Sequence, residues 1–306
     1  MSVVVVNWNT RDLLRDCLAS LPHDAEAVQL EVIVVDNGSE DGSAEMVAEE
    51  FPSARLLRNE ENLGFVRANN QGLRVSRGEY AWMLNSDTRA LPGCVERLVE
   101  VAASDPKIGA VAPKLLNPDG SYQYSAGRFA RVFLKMLPAG FEDRYNRAFD
   151  QEAMAATQPL RVDWLVGAAL LCRREVLDQV GPLDERYLMW LDDMDWCRKL
   201  ARVGLDRVFV PDAHVMHYGR QSAAKLQSEE FIGQLLDSEY LYLRLQHGLL
   251  ATWLVFGARL AKECGHWCLA RSGEARRSAA FRLAHHRRRL VRHCLSRLPR
   301  QSADQS

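Results

Sequence analysis

The sequence predicts an α/β fold with a parallel sheet, followed by a helical extension. Three observations lead there. Short apolar runs at Val3–Val6, Val32–Val35 and Tyr80–Leu84 alternate with segments of helical periodicity, the pattern of parallel strands joined by right-handed crossovers. The runs end in polar residues, namely Asn7, Asp36 and the group Asn85-Ser86-Asp87; in such sheets ligands sit at the carboxyl ends of the strands. From about Glu229 onward, Leu, Trp and Phe recur at helical spacing. The chain therefore divides into an α/β domain over 1–228 and a helical, arginine-rich region over 229–306.

The elements follow in order. Val3–Val6 is β-branched throughout and reads as a buried strand. Thr10 caps a helix whose stripe is Leu13, Leu14, Cys17, Leu18 and Leu21. The strand Val32–Val35 runs into the turn Asp36-Asn37-Gly38-Ser39, and a helix follows from about Ser43 to Glu50. Arg55–Arg58 is a short strand, and Asn62-Leu63-Gly64 turns the chain into a helix over Phe65–Arg74. After the strand Tyr80–Leu84, residues 118–160 mix turns, aromatics and arginines and read as loops. Val162–Cys172 returns to strand character, Arg174–Val180 is a helix ended by Gly181-Pro182, and Asp192–Val203 is a helix opened by acids.

A chain of 306 residues can bury a large core. Its net charge of −1 hides an asymmetry: residues 271–300 hold ten arginines against one acid, Glu274. Such a segment is suited to docking on something anionic. Seven scattered cysteines without a zinc-like pattern fit a reducing compartment. Met1-Ser2 leads directly into Val3–Val6, too short for the apolar core of a secretion signal. The run Leu249–Ala258 stops well short of the roughly 20 residues that a spanning helix needs. The expected location is cytoplasmic, at the inner membrane face if the basic helices bind lipid. Without a recognised binding module, nucleic acid is not an expected partner.

Several residues carry chemistry. Asn85 and Asp87 are two apart on a strand and share a face; a carboxylate beside a neutral oxygen suits a hard divalent cation bearing a phosphate ligand. Asp36 can accept hydrogen bonds from a ribose or base, or close an Asx-turn. Asn62, Gly64 and Asn70 surround a helix start, where amides can hold a nucleotide or simply cap the helix. Asp192, Asp193 and Asp195 open a helix between Trp190 and Trp196. Adjacent carboxylates raise one another's proton affinity, which suits a general base, and the indoles suit a sugar. One of His214 and His217 is a candidate cation ligand. No G-x-G-x-x-G follows the first strand and no G-x-x-x-x-G-K-[ST] is present, against the oxidoreductase and P-loop classes.

With these residues collected, the chain resembles family 2 glycosyltransferases, in their rhamnosyltransferase-like branch, over roughly residues 1–225. The likeness rests on Val3–Val6 with Asn7-Trp8-Asn9, Val34-Val35-Asp36-Asn37-Gly38-Ser39, Asn62-Leu63-Gly64-Phe65 with Asn69-Asn70-Gln71-Gly72, and Asn85-Ser86-Asp87. It continues through Gly167-Ala168-Ala169, Gly181-Pro182-Leu183-Asp184-Glu185, Asp192-Asp193-Met194-Asp195 and His217 with Ser222. The resemblance implies a GT-A-type nucleotide-sugar-binding fold with a mixed, mostly parallel sheet, and inverting transfer from an NDP-sugar to a lipid-linked or saccharide acceptor, with rhamnose as one donor sugar. It implies that Asp87 and His217 hold Mg²⁺ or Mn²⁺, and that Asp193 is the general base. Asn7, Asp36, Asn62, Gly64, Asn70 and Asn85 would contact the nucleotide sugar, and Trp190, Asp192 and Gly167 the sugar or acceptor. The sequence departs from the family pattern twice, with Asn85 for the first acid of D-x-D and Asp192 for the Glu of a Glu-Asp pair.

For the C-terminal region two readings stand, an interfacial helix on anionic lipid or a helix packed on the catalytic domain. Two other functions compete. A nucleotidyltransferase would carry a Gly-rich basic loop after the first strand, where Asn7-Trp8-Asn9-Thr10 stands instead. A non-catalytic docking protein would have a broken acidic set, whereas Asp36, Asp87 and Asp193 are all present.

Overall fold

A computed structural model of the chain describes residues 1–22, 28–129, 141–219 and 228–269, with isolated positions between 272 and 284. The chain divides into two units. The first comprises Met1–Arg128, Arg147–Asp184 and Asp192–Leu226, and the second Phe129–Asn146, Glu185–Leu191 and Gln227–Ser306.

The first unit begins with β1 (Ser2–Asn7), α1 (Arg11–Ala19), β2 (Glu31–Asn37), α2 (Ser43–Glu50), β3 (Arg55–Asn59), α3 (Phe65–Val75) and β4 (Tyr80–Asn85). Strands β3, β2, β1 and β4 lie side by side and all pair in parallel. Every residue of β1 is buried, which is why its run of valines shows no alternation. Gly72 lets α3 pack close to β1 and β2: a Cβ there would overlap Val4 Cγ1 and lie 3.3 Å from Val35 Cγ2.

The chain continues through β5 (Thr88–Ala90), α4 (Cys94–Ser104), β6 (Ile108–Leu116), β7 (Tyr122–Gln123), β8 (Ala126–Gly127), α5 (Phe141–Ala155), β9 (Leu160–Val162), β10 (Trp164–Leu165), β11 (Ala169–Arg173), α6 (Arg174–Val180), α7 (Asp192–Arg202) and β12 (Asp206–His217). The sheet runs on as β4-β11-β6-β12-β5, with β7 on β6 and β9 on β12. β11 is antiparallel to both β4 and β6, so the sheet is mixed, while its longest ladders are parallel. The apolar core gathers on this sheet, with Leu14, Leu18, Val34, Trp82, Leu98, Leu171 and Val215 all buried.

One expectation needs correction. The segment 118–160 is not loop throughout, since it contributes β7, β8 and α5; α5 escaped because Arg, Asp and Glu interrupt its apolar spacing. The strand character of Val162–Cys172 is borne out, divided among β9, β10 and β11.

The second unit is dominated by α8 (Ser228–Leu269), which breaks at Gly248 (φ 82°, ψ 176°). Tyr240, Leu243, Val255 and Phe256 form its core. Arg259 pairs with Glu239 at 2.7 Å, and Ser238 Oγ donates to Met189 O at 2.6 Å. Of the arginines in 271–300, only Arg277 lies among the described residues.

Candidate active site

The carboxyl ends of β1, β2 and β4 carry a continuous chain of side-chain hydrogen bonds. Register sets it up: Asn7 sits opposite Asp36, and Val6 opposite Asn85. The Asn7 amide donates to Asp36 Oδ1 at 3.2 Å and to Ser39 Oγ at 3.1 Å. Ser39 N donates to Asp36 Oδ2 at 3.1 Å, so Asp36 closes the Asx-turn that the sequence allowed while facing the rim. Thr10 Oγ1 donates to Asn7 Oδ1 at 2.6 Å and lies 3.0 Å from Ser86 Oγ. Thr10 does occupy the N-cap position of α1, but no side-chain cap bond forms there; its hydroxyl joins β1 to the loop that holds Asp87.

Asp87 lies in the turn between β4 and β5, two residues past Asn85, rather than on one strand with it as the sequence suggested. β12 brings His217 opposite Thr88, and His217 Nε2 lies 3.3 Å from Asp87 Oδ1. Tyr218 N donates to Asp87 O at 2.9 Å, fixing the approach. On the far side of the imidazole, Nδ1 lies 2.6 Å from Gln123 Oε1. Gln123 Nε2 donates to Asn117 Oδ1 (2.9 Å) and to His217 O (3.1 Å), which orients the amide with its oxygen toward the ring. Nδ1 must then be the donor, and Nε2 is left to accept a proton or a cation beside Asp87. His214 lies three residues earlier on β12 and so on the opposite face.

Asp193 stands in the first turn of α7. Its Oδ2 accepts from Gly167 N at 2.9 Å and its Oδ1 from Met194 N at 2.7 Å. Ala168 O accepts from Asn85 N at 2.9 Å, so Gly167-Ala168 ties Asp193 to the strand end that carries Asp87. Glycine favours the approach, because a Cβ at Gly167 would lie a tight 3.2 Å from Asp193 Cβ. Burial raises the Asp193 pKa, and the amides of Gly167 and Met194 oppose the shift. Asp192 is pushed up to about 8, by burial first and then by the neighbouring charges of Asp193 and Asp195. Burial thus raises the proton affinity of both carboxyls, holding Asp192 neutral near pH 7, while two amides counter the rise at Asp193.

Other predicted residues are placed differently. Asn62 Oδ1 accepts from Asn37 Nδ2 (2.8 Å) and Gly64 N (2.9 Å), so Asn62 and Gly64 brace the loop beside Asp36. Asn70 is buried and clamps Leu183, donating to its carbonyl at 2.9 Å and accepting from its amide at 3.1 Å. Trp190 belongs to the second unit, where it and Leu191 adopt left-handed backbone (φ 72° and 63°). Four residues that the sequence reading did not single out as candidates join the network: Thr10, Ser39, Ser86 and Gln123. Ser39 and Ser86 stood inside motifs already noted, whereas Gln123 carried no local signal.

The family model described as Glycosyl transferase family 2 matches residues 2–181. The N-acetylglucosaminyl-diphospho-decaprenol L-rhamnosyltransferase of Mycobacterium tuberculosis is 31% identical over 269 residues, covering 81% of this chain and 85% of that protein. The chain belongs to glycosyl transferase family 2. It is a glycosyltransferase, and its first unit has the GT-A-type fold expected from the sequence. Glycosyltransferase AglE of Haloferax volcanii is 24% identical over 260 residues, 83% of this chain and 74% of that protein. Two solved structures share the fold. GalNAc-T7 with UDP, GalNAc and Mn²⁺ matches with a TM-score of 0.61 at 18% identity, over 96% of this chain and 57% of that one. The mannosyltransferase PcManGT of Pyrobaculum calidifontis, in complex with GDP-Man and Mn²⁺, matches with a TM-score of 0.53 at 20% identity, over 95% and 86%.

In this glycosyltransferase a cation can be tested against the residues present. Among the described residues no cluster of three or more His, Cys, Asp or Glu could hold a metal ion. Asp87 and His217 do form a two-donor set, a carboxylate oxygen facing an imidazole nitrogen freed by Gln123. Carboxylate with imidazole suits Mn²⁺ or Mg²⁺ whose other positions are filled by phosphate oxygens and water, so the residues fit the ion.

Proposed function

We propose that this glycosyltransferase moves a sugar from an NDP-sugar to a lipid-linked or saccharide acceptor, with inversion at the anomeric carbon, at the cytoplasmic face of a membrane. One observation carries the reading: Asp36, Asn7, Thr10 and Ser86 form a hydrogen-bonded rim that ends at Asp87 and His217, and Asp193 is tied to the same strand end. The relative named for rhamnosyl transfer to a decaprenyl-linked sugar supports rhamnose as the sugar and a polyprenyl diphosphate sugar as the acceptor.

Each residue then has a role. Asp36 accepts hydrogen bonds from the nucleoside, with Asn7 and Ser39 holding its carboxylate in place. Asp87 and His217 would hold the divalent cation, and Gln123 keeps Nε2 of His217 available. When bound, the ion neutralises charge on the departing diphosphate. Asp193 takes the proton from the acceptor hydroxyl as that oxygen attacks the anomeric carbon from the face opposite the nucleotide. A single displacement inverts the configuration. Gly167 N and Met194 N hold both carboxylate oxygens, which fixes the base against the attacking oxygen.

The test is release of nucleoside diphosphate from a panel of NDP-sugars, with and without a prenyl diphosphate sugar. Chelation should stop it and Mn²⁺ should restore it. The anomeric configuration of the product, read by NMR, should be opposite to that of the donor. Turnover undiminished by chelator, or retained configuration, would contradict the proposal.

A further inference from the structure

We propose that the outward face of the second segment of α8 is a docking surface for an anionic lipid bilayer. Past the break at Gly248, this helix is inverted with respect to an ordinary surface helix. Among the described positions from Leu249 to Cys268, the exposed residues are Leu249, Leu250, Trp253, Leu254, Gly257, Ala261, Lys262, Cys264, Trp267 and Cys268. Lys262 alone of these carries a charge. Leu250 is 74% exposed, Leu254 50% and Trp267 48%. At 100° per residue all but Lys262 fall on one side of the helix.

Charge points the other way. Glu263 is buried, and Arg259 pairs inward with Glu239 while stacking over the Tyr240 ring at 5.5 Å. A helix exposing leucines while enclosing its ion pair leaves a contiguous apolar stripe in water, which marks an interaction surface. The segment from Leu249 to Leu269 is about 30 Å long, and no described helix is long and apolar enough to cross a membrane. The stripe therefore suits a helix lying in the plane of the interface, with indoles at the headgroup level.

Charge complementarity selects the occupant. The sequence directly beyond this helix holds ten arginines against one acid between residues 271 and 300. Arginines near a surface of anionic headgroups are attracted to it, and the apolar stripe supplies burial that charge alone lacks. The arrangement goes beyond the donor site, and its test uses neither donor nor acceptor, so failure here and failure of the transferase reading are separate results.

The full chain is floated with vesicles of phosphatidylglycerol and phosphatidylcholine, and with phosphatidylcholine alone, beside the double variant Leu250→Ser/Leu254→Ser. Both replaced side chains are exposed, so thermal unfolding of the variant should match wild type. The wild type should float with the anionic vesicles, and the variant should partition at least about tenfold more weakly. Wild type that stays unbound overturns the proposal, as does a variant that floats equally well, which would leave binding to the arginines alone. Light scattering that shows a wild-type dimer dissociated by the two serines would also overturn it, assigning the face to a second copy of the chain.

Discussion

Gln123 Oε1 lies 2.6 Å from Nδ1 of His217, and this one contact decides which ring nitrogen faces Asp87. The Gln123 amide cannot turn over without losing its bonds to Asn117 Oδ1 and His217 O. Replacing Gln123 by Leu removes the acceptor and frees the ring to change tautomer. Mn²⁺ affinity in the presence of nucleoside diphosphate, read by electron paramagnetic resonance, should fall by about tenfold or more. Unchanged affinity would show that Gln123 does not position His217.

Gly167→Ala tests the seat of the proposed base. The new Cβ would lie 3.2 Å from Asp193 Cβ and 3.5 Å from its Oδ2, so the carboxylate must shift by a few tenths of an ångström. Nucleotide binding should be unaffected, while kcat falls by roughly tenfold or more, because proton transfer depends on placement. An unchanged kcat would separate Gly167 from the chemistry.

Asp192 should give stability a pH signature. Between the ordinary carboxyl range and about 8, folded Asp192 keeps a proton that the unfolded chain has released. Stability therefore falls as pH rises through that window. Asp192→Asn removes the ionisable group, so the variant should gain Tm relative to wild type at pH 9 and lose that advantage at pH 5. An equal difference at both pH values would contradict a carboxyl held neutral.

Gly72→Ala probes the sheet itself. Its Cβ would collide with Val4 in the buried strand β1, and overpacking of that kind costs about 1–3 kcal/mol. Chemical denaturation should show the loss in the midpoint; a neutral result would mean that α3 can retreat from the sheet at no cost.

Much of this was legible in the sequence, for identifiable reasons. Val3–Val6 and Val32–Val35 announce buried parallel strands because burial on both faces removes alternation. Asp36 and Asp87 stand out because each ends an apolar run, and Asp193 because it opens a helix beside a second carboxyl. What stayed hidden depends on partners remote in sequence. The antiparallel insertion of β11 between β4 and β6 is fixed by pairing across the sheet. Gln123 matters only because β7 docks on β6 and meets His217, 94 residues further along. Asn70 shows the converse: its motif suggested ligand contact, and its amide proves to clamp Leu183, 113 residues away.

The central claim is that Asp36 and Asp87 bind the donor while Asp193 acts on the acceptor, and calorimetry with nucleoside diphosphate and Mn²⁺ on Asp36→Ala, Asp87→Ala and Asp193→Asn, paired with transfer assays, tests it most directly. The account predicts that the first two variants lose binding and transfer together, and that Asp193→Asn keeps wild-type nucleotide affinity with transfer abolished. Near-normal turnover by Asp193→Asn, or undiminished nucleotide binding by Asp36→Ala and Asp87→Ala, would contradict it.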